Sequence, residues 1–260
     1  QYDNEIDNYG QDHYQLISGW QLSPSLYVNV TGHYTRGKGF FEQFKADDDF
    51  VDYGIDPQVV QGDSIYSSDI IVRRWLDNHF FGGVYSLQYR KNALQMTLGG
   101  GLSRYLGDHF GEVMWSEIAT DIDIRKQYYS SNADKVDGSS YLKAEWSLDG
   151  LTLFGDVQGR FIDYKTSGLD NDQRPISVDQ QYVFINPKGG ASFQLPENNL
   201  IYASVARGSR EPVRSDFIDA TPGVTPQPEF MTDVEAGWSW NRPVFNISLN
   251  GYFMHYKDQL

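Results

Sequence analysis

Apolar and polar residues alternate with a period of two over most of the chain, broken by clusters of turn formers. This pattern predicts about ten β-strands and no convincing helix. The predicted strands cover residues 13–21, 26–36, 69–90, 93–105, 139–148, 151–165, 181–195, 200–207, 231–240 and 244–256, with Gly82 and Gly83 as a point of interruption in the third. The connections between them are of two alternating kinds. Residues 22–25, 91–92, 149–150, 196–199 and 241–243 form short links, whereas 37–68, 106–138, 166–180 and 208–230 form long ones. A soluble sandwich has no general reason to sort its loops in this way. A membrane barrel does, with short periplasmic turns and long extracellular loops. The expected fold class is therefore all-β, an antiparallel up-and-down transmembrane β-barrel, with these strands as part of a larger barrel.

Asp149-Gly150 fixes one register, because a two-residue turn of the I′ type favours Asp-Gly. Counting outward, Leu148 faces Leu151, Trp146 faces Leu153, Ala144 faces Gly155 and Leu142 faces Val157, so one face of the hairpin is apolar. On the other face Lys143 meets Asp156, Tyr141 meets Gln158 and Ser139 meets Arg160. Strands 231–240 and 244–256 repeat the alternation. Alternation alone leaves lipid and a second sheet equally open as partners of the apolar face.

Composition narrows this choice. The 18 Tyr, 15 Phe and 6 Trp suit interfacial girdles, and no apolar run approaches the roughly 20 residues of a membrane helix. A formal charge of −14 has the wrong sign for binding phosphate backbones, so nucleic acid is set aside as a partner. The absence of cysteine excludes disulfide frameworks and thiolate metal sites. Residues 1–10 show neither a basic nor an apolar leader segment, and any export signal is expected outside the chain.

Residues 202–214 (YASVARGSREPVR) resemble the strand-to-loop segment of TonB-dependent receptors, in which a Tyr-x-Ser strand runs into an Arg-Glu-Pro loop. Pro228-Glu229 with 233–237 (DVEAG) resembles the family's next strand, and 250–260 (NGYFMHYKDQL) the strand after it. Upstream, 12–16 (DHYQL), 34–39 (YTRGKG) and 99–101 (GGG) look like receptors of this type from Bacteroidota. The resemblance spans essentially the whole chain and decides for lipid on the apolar face. It implies a segment of barrel, residues 1–260, in the outer membrane of a Gram-negative bacterium, with the N-terminal plug and the closing strands not found in it. It further implies energised import of a scarce solute, such as an iron chelate, a cobalamin or a glycan. The implied partners are the TonB system acting through the plug, outer-membrane lipid and a surface lipoprotein.

Candidate chemistry is sparse. Arg207, Arg210, Glu211 and Arg214 cluster where a strand enters a long connection, where arginines can grip carboxylates or phosphates of a ligand. The competing reading is a structural ion-pair network in the barrel mouth. Asp47, Asp48 and Asp49 with Asp52 and Asp56 offer carboxylates for calcium but lack EF-hand spacing, and a solvated acidic loop is the simpler reading. His13, His33, His79, His109 and His255 lack close metal-ligand spacing, and Gly99-Gly100-Gly101 lies in a strand pattern rather than opening a helix. No metal, cofactor or catalytic residue is assigned, and no nucleophile elbow supports an enzyme. A passive porin or adhesin barrel and a secreted glycan-binding β protein remain as alternatives.

Overall fold

The computed structural model describes residues 2–118, 122–221 and 223–260. Ten antiparallel strands form one meander in chain order: β1 (Ile6–Ser23), β2 (Leu26–Asp49), β5 (Ser67–Lys91), β6 (Leu94–Ser116), β7 (Gln127–Leu148), β8 (Leu151–Leu169), β9 (Pro175–Leu195), β10 (Asn199–Arg210), β11 (Glu229–Arg242) and β12 (Phe245–Lys257). A separate hairpin of β3 (Gln58–Val60) and β4 (Asp63–Ile65) sits in the connection from β2 to β5. The sheet is open, with β1 and β12 at its edges.

The hairpin at Asp149-Gly150 has the expected register, with Leu142 opposite Val157 and Trp146 opposite Leu153. Both turn residues have positive φ, 45° and 84°, as a type I′ turn requires. Lys143 opposes Asp156, but the salt bridge of this hairpin forms further from the turn on the same face, diagonally from Arg160, opposite Ser139, to Asp137.

Following the registers across the sheet shows two unlike faces. One row runs Trp20, Val28, Leu87, Leu98, Leu142, Val157 and Pro187. The next residue along each strand belongs to the opposite face, where one row runs Asn29, Ser86, Gly99, Tyr141, Gln158 and Asn186. Leu142, Trp146, Leu153 and Val157 are 42%, 45%, 41% and 44% exposed, so this large apolar band is not packed against anything in the chain. Membrane barrels carry such an unpacked apolar band on their outer face.

The strands run further than apolar alternation indicates. Residues 37–49, 106–116, 127–138, 166–169 and 175–180 were expected in long connections and are strand instead. The reason lies on the outer face, where the row above the apolar band is Asp12, Arg36, His79, Leu106, Asp134, Lys165 and Asp179. Backbone pairing continues there although the hydrophobic signal stops. Ion pairs Arg36–Asp77, Lys38–Asp77 and Arg104–Asp134 cross the strands at this level. Strand β5 also passes Gly82 and Gly83 without a register shift, so the anticipated interruption does not occur.

The true connections at this end are 50–66, 117–126, 170–174 and 211–228, against two- and three-residue turns at the other. Their described residues pack onto the inner face. A 3-10 turn at Phe50–Tyr53 packs on Ile70, Val72, Val113, Tyr128 and Tyr129. A short helix not anticipated from sequence, α1 (Arg214–Ile218), brings Phe217 and Ile218 against Ile162, Tyr164, Ile176, Val178, Tyr182 and Phe184. These two apolar clusters hold the loop end together and narrow the lumen there.

Candidate functional site

Pairing of β9 with β10 ends at Lys188 and Ala206, beside Pro187, which has no N–H to continue the ladder. Freed from β9, the end of β10 carries Glu211 inward onto the lumenal wall. Glu211 accepts a hydrogen bond from Lys135 Nζ at 2.7 Å and two from Arg160, at 2.8 and 3.1 Å. Arg160 also donates to Asp137, with Nε 3.2 Å from Oδ1. Burial alone would raise the Glu211 pKa, but Lys135 and Arg160 outweigh it and hold the carboxyl below its ordinary range. The four charges cancel, and the assembly anchors the root of the 211–228 connection.

Three residues on, Arg214 donates to Ser131 Oγ at 3.0 Å. It shares a cavity of about 260 Å³ with His109, Tyr129, Asp170 and Arg174. The Asp170 carboxylate is already taken up by the backbone N–H groups of Asp172 and Arg174, at 3.0 and 2.8 Å, and by Arg174 Nε at 2.9 Å. Arg174 reaches Asp219 as well, at 3.3 Å.

The remaining candidates lie elsewhere. Arg207 continues the row of Ile201, Ala203 and Val205, and its guanidinium carbon is 4.9 Å from the Phe230 ring centre. Arg210 faces Glu229 at 3.8 Å and is half exposed. Strand alternation therefore spreads four residues that are neighbours in sequence, and Glu211 and Arg214 are the two whose hydrogen bonds reach β7 and β8 on the lumenal wall.

Arg74 is a further inward-facing arginine that the sequence reading did not single out. Gly111 lies opposite it on β6, and Tyr129 lies opposite Gly111 on β7. A Cβ at Gly111 would lie 2.2 Å from the Tyr129 ring and 2.5 Å from the Tyr128 ring, so glycine makes the room both rings occupy. The Arg74 guanidinium lies against the Tyr128 hydroxyl. Arg74 Nε and Tyr128 Oη are both buried and adjacent, but outside good hydrogen-bond geometry with any other described group. The signal available in sequence was the Arg73-Arg74 pair, since alternation must put one of the two on each face. Arg73 takes the other face, pairing with Glu42 at 2.6 Å and stacking on Phe40 at 4.1 Å.

The acidic segment is engaged locally. Asp47 accepts from Ser67 Oγ at 2.6 Å, and Asp48 from Tyr53 Oη at 2.5 Å. Among the described residues no three His, Cys, Asp or Glu side chains converge to hold a metal ion. His13 contacts Thr35, His79 contacts Tyr34 and His109 contacts Tyr105. A second cavity, of about 670 Å³ and lined in part by Tyr53, Asp56, Gln58, Tyr128 and Gln173, opens beneath the β3–β4 hairpin.

The family model described as "TonB dependent receptor-like, beta-barrel" matches residues 1–260. The chain belongs to this family. No curated protein matches it. Among solved structures, the copper transporter OprC is similar with a TM-score of 0.67 at 13% identity, over 95% of this chain and 39% of OprC. The ferric citrate transporter FecA in its unliganded form gives 0.63 at 10% identity, over 96% of this chain and 35% of FecA. The siderophore receptor PiuA from Acinetobacter baumannii gives 0.62 at 13% identity, over 95% and 40%. These likenesses establish the shared fold. The TonB-dependent receptor barrel segment spans about two-fifths of the solved receptors' length.

Proposed function

We propose that the complete protein is an outer-membrane receptor that captures a scarce solute at the loop end of its lumen and imports it when coupled to TonB. The observation supporting this most directly is the inward folding of the connecting segments. They narrow one end of the lumen and leave cavities lined by polar and aromatic side chains there, where a rigid scaffold displays binding residues. Of the four candidates near residue 210, Arg214 is proposed as the solute contact and Glu211 as the anchor that holds its loop. Arg207 and Arg210 belong to the rim. Iron chelates, cobalamins and glycans are the candidate cargoes. Outer-membrane lipid around the apolar band, a surface lipoprotein over the loops and a Bacteroidota origin belong to the same reading.

The test separates capture from transport. Deleting residues 211–228 from the full-length receptor should weaken binding at the cell surface. Removing TonB should leave binding intact and abolish accumulation of the solute. Uptake that continues without TonB would instead indicate a passive barrel.

A further inference from the structure

Two lumen-facing guanidinium groups at the loop end lack a carboxylate partner among the described residues. Arg214 has the Ser131 hydroxyl as its hydrogen-bond partner, and Arg74 has the Tyr128 phenol beside it. Acids around them are engaged with other groups: Glu211 with Lys135 and Arg160, Asp170 with Arg174 and its own turn, Asp219 with Arg174, and Asp48 with the Tyr53 hydroxyl. Tyr129 connects the two arginines: it lines the same cavity as Arg214 and lies in register, across Gly111, with Arg74. Both are partly buried, and partly buried cations without counter-charge are costly to desolvate unless an anion completes them.

We infer that Arg74 and Arg214 form an anion clamp at the mouth of the lumen, and that the captured solute carries at least two anionic oxygen groups, carboxylates or phosphates. The planar fork of each guanidinium matches either group with paired N–H donors. The tyrosines beside them supply an apolar rim and neutral hydroxyl donors. A neutral sugar would leave both cations uncompensated. This inference rests on the reading of the loop end as the capture site.

The probes are citrate, inorganic phosphate and neutral maltose, titrated calorimetrically into the full-length receptor in detergent. One of the two anions should bind, and maltose should not. Citrate without phosphate identifies carboxylate recognition, and the converse identifies phosphate. Arg74→Gln and Arg214→Gln should each weaken the bound anion at least about tenfold, while Arg207→Gln leaves it within about twofold. Arg74→Lys and Arg214→Lys keep the charge and should fall between, which separates loss of recognition from loss of folding. The clamp is overturned if neither anion binds, if both glutamine variants bind like the parent, or if a carboxylate of the receptor's own remaining segments occupies both arginines. TonB-dependent uptake that is unchanged in the double variant would remove the clamp and leave the transport reading standing. Uptake independent of TonB in the unmodified receptor would do the opposite.

Discussion

Arg160 NH1 and NH2 donate in parallel to the two carboxylate oxygens of Glu211, at 2.8 and 3.1 Å, across 51 residues of chain. This fork, with Lys135 on the same carboxylate, ties the 211–228 connection to β7 and β8. Glu211→Ala should cost about 1.5–3 kcal/mol, the range for hydrogen bonds to charged groups, because it leaves Lys135 without its carboxylate and Arg160 with Asp137 alone. Chemical unfolding of the purified receptor measures the loss.

The same contact sets a pH dependence. The Glu211 carboxyl is held below its ordinary pKa of 4.5, so its stabilising contribution is fully present above that value and is lost as pH falls through the lowered one. Limited proteolysis between Glu211 and Glu229 should therefore stay slow at mildly acidic pH and accelerate only once the pH has fallen below the ordinary carboxyl value of 4.5. Glu211→Gln should be cleaved faster at neutral pH and lose most of that acid step. A parent protein whose loop opens near pH 6 would show that another group controls it.

Val157 and Gln158 are adjacent on β8 and face opposite ways. Val157→Arg puts a charge into the apolar band near its centre and should cost ~2–4 kcal/mol of folding free energy in lipid vesicles. Gln158→Arg enters the polar lumenal row beside Asn186 and should fold nearly as the parent does. Equal damage from both would reverse the faces.

What was legible in the sequence followed from short-range chemistry. The Asp149-Gly150 turn needs two residues of positive φ, and once it was placed, every pair of the hairpin followed by counting. The upper halves of the strands were not legible, since Lys38 opposite Asp77 and Leu106 opposite Asp134 pair by backbone while their side chains break the apolar alternation. The candidate site was only partly visible. Arg207 to Arg214 are close in sequence but diverge in space, whereas Lys135 and Glu211 meet across 76 residues, a contact no local pattern encodes. Arg74 was hidden inside a strand that read as wall.

Gly111 offers a separate check on the lumenal geometry. The rings of Tyr128 and Tyr129 lie where its side chain would be, at 2.5 and 2.2 Å. Gly111→Val must push both rings away, and with them the packing of Tyr53 on Tyr128, whose ring centres are 4.9 Å apart. The expected cost is about 1–3 kcal/mol from overpacking, together with faster proteolysis of the 50–66 connection. Gly155, with open space around its Cβ position, is the control at which alanine should be tolerated.

The two ends of the sheet differ in a way that predicts its direction across a membrane. At the end with two- and three-residue turns, the apolar band closes in aromatic side chains: Trp20, Tyr89, Trp146, Trp238 and Trp240 lie close to the turns. Such rings belong at a lipid–water boundary, so little protein projects beyond it there. At the other end the strands continue past the band through rows of charged residues before they reach the connections, as at Arg36, Asp77, Arg104 and Asp134. Long projections of this kind lie outside the cell and short turns on the periplasmic side. An epitope inserted at Gln61-Gly62, the exposed tip of the β3–β4 hairpin where both residues have positive φ, should therefore be labelled by antibody on intact cells. The same epitope at Pro243-Val244, the turn between β11 and β12, should be labelled only after the outer membrane is permeabilised. Labelling of the Pro243-Val244 epitope alone on intact cells would invert the barrel and remove the loop end as the place where solute is captured.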